Sequence, residues 1–224
     1  MAGQVLSPLV LLAALAVGVP PQPHPQASAQ TLAEAIQKKY DAVRDFSADF
    51  VHIYEGGVLR KRAKERGSVL IKKPGKMRWH YQEPEEKLFV SDGVKMYSYL
   101  PEDRQVIISD VPPRDEATTP ALFLAGKGNL LRDFTIDPID VPGAPRGARA
   151  LRLVPRRIDG EYAWLTLVVD EALRITMLVT ADAQGGQSTF LFANFKENRG
   201  LSDKDFTFTI PRGVEVITDA RPTP

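Results

Sequence analysis

The chain contains no cysteine and only three histidines among its 224 residues. The first absence excludes thiolate chemistry, disulfides and lipid attachment through a thiol. His24 falls in a Pro-rich leader. Neither His52 nor His80 has a second histidine at ligand spacing, so no metal centre is expected. Both read as surface or rim residues of strands. A G-x-S-x-G elbow and a Walker loop are also missing, and Gly126-Lys127-Gly128 is too short to cradle a phosphate. No nucleophile, base and oxyanion donor gather in sequence, so neither an enzyme nor a cofactor is expected. Charge of one sign is lacking as well: 29 Lys and Arg against 28 Asp and Glu leave +1. That balance offers no basic field for nucleic acid.

Charge is also absent from residues 1–29. Leu6 to Val19 is almost wholly apolar, yet shorter than the roughly 20 residues a spanning helix needs. Prolines follow, then Ala27-Ser28-Ala29, an A-x-A site. This pattern is that of a secretory signal peptide cleaved after Ala29. An uncleaved anchor is the alternative, because the leader lacks a basic start. Residues 30–224 then form a single domain, expected to be a soluble monomer, held by packing alone.

Thr31 to Arg44 reads as a helix. Thr31 and Glu34 make a capping box, and Leu32, Ile36, Tyr40 and Val43 recur on one face. From Phe46 the period becomes two. Strands are expected near 46–55, 58–72, 76–82, 86–91, 94–100 and 104–109, with Asp92-Gly93 and Gly56-Gly57 as tight turns. Thr119 and Pro120 can start a short apolar helix, Ala121 to Ala125, which Gly126 can end. Strands resume near 133–140, 149–155, 161–169, 173–180 and 188–196, and Phe206 to Ile210 alternates as a last one. The fold class is therefore mainly β: about eleven antiparallel strands, enough to close into a barrel or to pack as a sandwich, with short helices near 31–44 and 120–125.

The run Ile71 to Pro84, IKKPGKMRWHYQEP, concentrates the question of function. Met77, Trp79 and Tyr81 fall on one side of an extended chain; Lys76, Arg78 and His80 fall on the other. Phe190/Phe192 and Phe206/Phe208 form similar stripes. Met and aromatic side chains suit an adaptable apolar lining. The same stripes equally suit a filled sandwich core, and pattern alone leaves both open.

The segment Gly67 to Val106 resembles the periplasmic outer-membrane lipoprotein carrier family, LolA. The resemblance rests on the KKPGKMRW core, the following VSDG and an aromatic-rich strand. FSADF (Phe46 to Phe50), TPALFL (Thr119 to Leu124) and DFTFTIPRGV (Asp205 to Val214) agree in order, so the likeness spans nearly the whole mature chain. It implies an open barrel with a helical lid over an apolar cavity. It implies a carrier that takes triacylated lipoproteins from an ABC-type release complex of the inner membrane to a receptor lipoprotein of the outer membrane. On that frame Leu32 and Ile36, Leu122 and Phe123 belong to the lid, and Phe50, Met77, Trp79, Tyr81, Phe206 and Phe208 to the cavity. Lys73 stands where many relatives carry a latch arginine, with Arg78 as a second candidate; either basic side chain could instead meet a partner. A carrier of another lipid or glycolipid, and an envelope-stress sensor domain, are the alternatives.

Overall fold

The computed structural model describes residues 25–56, 62–111, 123–157, 162–181 and 185–218. Helix α1 (Pro25–Ala42) leads into six strands: β1 (Asp45–Glu55), β2 (Arg62–Lys72), β3 (Lys76–Glu83), β4 (Lys87–Asp92), β5 (Lys95–Leu100) and β6 (Gln105–Asp110). The one-turn helix α2 (Leu130–Asp133) precedes β7 (Phe134–Pro138), β8 (Arg149–Pro155), β9 (Trp164–Val169), β10 (Ile175–Ala181) and β11 (Gln187–Glu197). A 3-10 turn (Asp203–Phe206) and β12 (Glu215–Thr218) complete the described chain.

All twelve strands form one open, curved sheet in the order β12-β6-β5-β4-β3-β2-β1-β11-β10-β9-β8-β7. Neighbours are antiparallel except β12, which runs parallel to β6. Two meanders are thus joined where β1 pairs with β11. The apolar face of α1 carries Ala29, Leu32, Ala33, Ile36 and Tyr40, which with Val43 just past the helix end are buried in one cluster with the inner face of the sheet. Their spacing of three and four residues is that of a helix packed along one side.

Two expectations are corrected. The helix begins at Pro25, not at the Thr31 box, so Thr31 lies inside it and Ala29 at the expected cleavage site is buried. Nothing in Gln26 to Gln30 breaks a helix, and proline is tolerated at a first helical position. Twelve strands lie among the described residues, in keeping with the expected number of about eleven. Phe206 to Ile210 is not a strand: Phe206 closes the 3-10 turn, which Ser202 and Asp205 cap reciprocally, and the final strand is Glu215–Thr218. That strand was illegible because all four of its residues are exposed at an edge. Of the expected second lid helix, Phe123 and Leu124 are helical and buried, and Gly126 (φ +84°) ends the turn. Leu122 and the rest of that helix lie outside the described residues.

Candidate functional site

The register of β1 to β4 assembles the inner face. Trp79 stands opposite Val69 of β2 and Phe89 of β4; Met77 faces Ile71 and Ser91; Tyr81 faces Gly67 and Lys87. Phe50 of β1 also faces Gly67. With no side chain at Gly67, the Phe50 ring leans across it. Its centroid lies 5.2 Å from Trp79 and 4.8 Å from Tyr81, both edge to face. A Cβ at Gly67 would overlap the His80 carbonyl oxygen and lie 2.8 Å from Phe50 Cζ. Phe190 and Phe192 of β11 extend the floor, 5.5 and 6.1 Å from Trp79. Edge-to-face rings at these separations attract beyond their area burial.

At one end this floor meets charge. His52 stacks on Phe190 at 4.1 Å, its Nδ1 is 2.9 Å from Glu65 Oε2, and Lys87 Nζ donates to Glu65 Oε1 at 2.7 Å. Burial pushes the His52 imidazole below its ordinary value, against the pull of Glu65. Burial would raise the Glu65 carboxyl, but the bonds from Lys87 and His52 outweigh it and hold it low. Sequence reasoning missed this cluster, which three strands contribute. His52 lies at the end of the floor, part-buried against Phe190 and Tyr81.

Helix α1 is tied down in its last two turns. Gln37 Oε1 accepts from Leu130 N at 2.9 Å, and Lys39 pairs with Glu197 at 2.7 Å. One residue further on, Lys73 Nζ donates to the Tyr40 carbonyl and lies 5.2 Å above the Tyr40 ring. This carbonyl sits at the negative end of the helix dipole and also accepts from Val43 N at 3.2 Å. The Lys73 stem packs against Gly126, and Gly75 N donates to Ala125 O at 2.9 Å. The hairpin Lys73-Pro74-Gly75 therefore grips both lid pieces. Buried Ser91 anchors the hairpin in turn, donating to Gly75 O at 2.8 Å, while Asp92 Oδ1 accepts from Val94 and Lys95. Those contacts give the VSDG run its physical meaning.

Leu32, Ile36, Phe50, Met77, Trp79, Tyr81 and Phe123 all lie in this inner cluster. Two aromatic residues and one cation do not. Tyr97 and Tyr99 pair with Val90 and Leu88, which share the outer face with Arg78 and His80. Phe208 contacts both tyrosines at 5.6 Å, and Phe206 is fully buried outside the inner cluster. Arg78 reaches the carbonyls of Asp205 and Thr207 at 3.4 Å. So Phe206 and Phe208 form a second, outer core, and Arg78 clamps that strap instead of latching the lid. Lys72 and Lys76 both bind Asp203, at 2.6 and 3.0 Å, and hold its carboxyl below the usual range. The basic side of the Ile71 to Pro84 run is spent within the molecule.

Open space lies at the start of α1, where a cleft of about 610 Å³ is bounded by Ala29, Leu32, Ile139, Val141, Arg149 and Leu151, among others.

The model of the family described as "Outer membrane lipoprotein carrier protein LolA" matches residues 41–209. The chain belongs to this family. An outer-membrane lipoprotein carrier protein of Bordetella avium is 32% identical over 199 residues, covering 85% of this chain and 91% of that one. The one of Methylococcus capsulatus is 30% identical over 192 residues, covering 85% and 90%. An uncharacterized conserved protein of Thermus thermophilus shares the fold, with a TM-score of 0.51 at 16% identity, covering 85% of this chain and 99% of that one. Among the described residues of this LolA family member, no helix is long and apolar enough to cross a membrane.

Proposed function

We propose that this chain shields the acyl chains of lipoproteins in the periplasm, taking them from a release complex of the inner membrane and handing them to an outer-membrane receptor. The observation that supports it is the construction of the lid. An apolar helix face covers an aromatic floor, and its polar ties gather in the last two turns of the helix. Each methylene kept from water is worth about 0.8 kcal/mol. Three acyl chains cannot cross an aqueous space without such cover.

The closed molecule fills its floor with Leu32, Ile36, Tyr40 and Phe123. Acyl chains that displace them replace one apolar cover by another. The two states then differ modestly in buried apolar area, so a partner surface can tip the balance. No bond needs to be made or broken. In this role the lid residues and the floor are the cargo site, and Lys73 is the latch.

The test is to mix the purified protein with a triacylated lipoprotein and with its unacylated form in detergent-free buffer. A soluble one-to-one complex with the acylated form alone is expected. Equal binding of both forms, or of neither, overturns the reading. A complex only with glycolipid or phospholipid would move the cargo to another lipid class.

A further inference from the structure

Trp79 is 6% exposed, and its indole Nε1 is buried with no hydrogen-bond partner among the described residues. Buried donors in native proteins are almost always paired, so an exception points to something that arrives later. The surroundings explain why the donor is unmet. Trp79 sits on the inner face, and the rings around it are Phe50, Phe190 and Phe192. Rings offer at best a weak acceptor face. An indole N–H is donor-only, so it needs a group that accepts.

We propose that Trp79 is the polar subsite of the inner face, and that its N–H binds a carbonyl oxygen at the root of an acyl chain, an ester or amide of the lipid. The proposal rests on the acyl-carrier reading and adds what that reading does not contain: recognition of the acyl linkage and not only of hydrocarbon. Ester and amide carbonyls are the natural acceptors where acyl chains meet their headgroup. Such an oxygen among aromatic rings is costly to bury unless a donor meets it. Among the described residues that donor is unmet, and loading satisfies both partners. Loading thereby gains something that the described part of the lid does not supply. Hydrocarbon without a carbonyl gains nothing from Trp79 beyond contact.

The test uses two synthetic lipopeptides with an N-terminal cysteine, one carrying two palmitoyl esters on a glyceryl thioether, the other the matching dialkyl ether. The intact protein is expected to bind the ester about three- to tenfold more tightly, as one net hydrogen bond implies. W79F is expected to bind both equally. A second readout needs no change at Trp79. The chain has two tryptophans, so W164F leaves a single indole N–H signal in a nitrogen-15 spectrum. That signal should move downfield with the ester and not with the ether. Equal affinity of the unaltered protein for the two probes, a preference that survives in W79F, or an indole signal that responds alike to both overturns the proposal and leaves the carrier reading standing. Binding of neither probe overturns both.

Discussion

The Lys73 ammonium donates to the main-chain carbonyl of Tyr40, so the hairpin between β2 and β3 holds the last turn of α1. The contact has a cost. Burial, only partly offset by Asp41, lowers the Lys73 ammonium to about 8. When the lid opens or the chain unfolds, the lysine returns to its solvated value of about 10.4. Between those limits the open state holds a proton that the closed state has lost. Stability therefore rises with pH across this window and is lowest below it, where closure buries a full charge. At neutral pH the latch is a strained one, suited to release. The expected result is a urea midpoint that rises between about pH 8 and 10 in the unaltered protein relative to K73R, whose guanidinium stays charged throughout. Parallel pH profiles of the two would contradict this.

Gly67 and Gly126 are glycines for steric reasons. Alanine at Gly67 would drive a Cβ into the His80 carbonyl, a backbone atom that cannot step aside. G67A is expected to cost about 3 kcal/mol or more, at the upper end of overpacking, measured by urea unfolding. At Gly126 the φ of +84° is strained for any other residue, and a Cβ would press on the Lys73 stem at 2.8 Å. G126A should cost about 1 kcal/mol or more and increase proteolytic cutting of the lid.

Phe206 separates the outer core from the cargo face. F206A is expected to destabilise by about 3–5 kcal/mol, as removing a buried phenylalanine does. Under conditions where it remains folded, its affinity for a triacylated lipopeptide should be unchanged. A selective loss of lipid affinity without loss of stability would return Phe206 to the cavity.

Phe206 also shows what the sequence could and could not disclose. Alternation tells which residues of a segment share a side, and it correctly grouped Met77 with Trp79 and Tyr81. It does not tell on which face of a sheet a segment lands. Phe206 and Phe208 alternate just as well and lie outside. The β-rich class and most strand bounds were legible because inward positions are apolar at every second residue. The start of α1 was not, since a sound capping box at Thr31 competed with a stretch lacking any breaker. Lys73 and Tyr40 are 33 residues apart, and the Glu65, His52 and Lys87 cluster spans three strands. Only tertiary pairing joins them. One clue was available for Phe50: a glycine inside a strand signals close approach of another group, and Gly67 is that glycine.

The most direct test holds the lid shut. Lys39 of α1 and Glu197 of β11 form an ion pair at 2.7 Å, and the chain has no thiol of its own. K39C/E197C joined by a short, cleavable thiol-to-thiol linker should fold normally, fail to take up a triacylated lipoprotein, and recover uptake when the linker is cut. Undiminished uptake with the linker in place would show that cargo does not enter beneath α1.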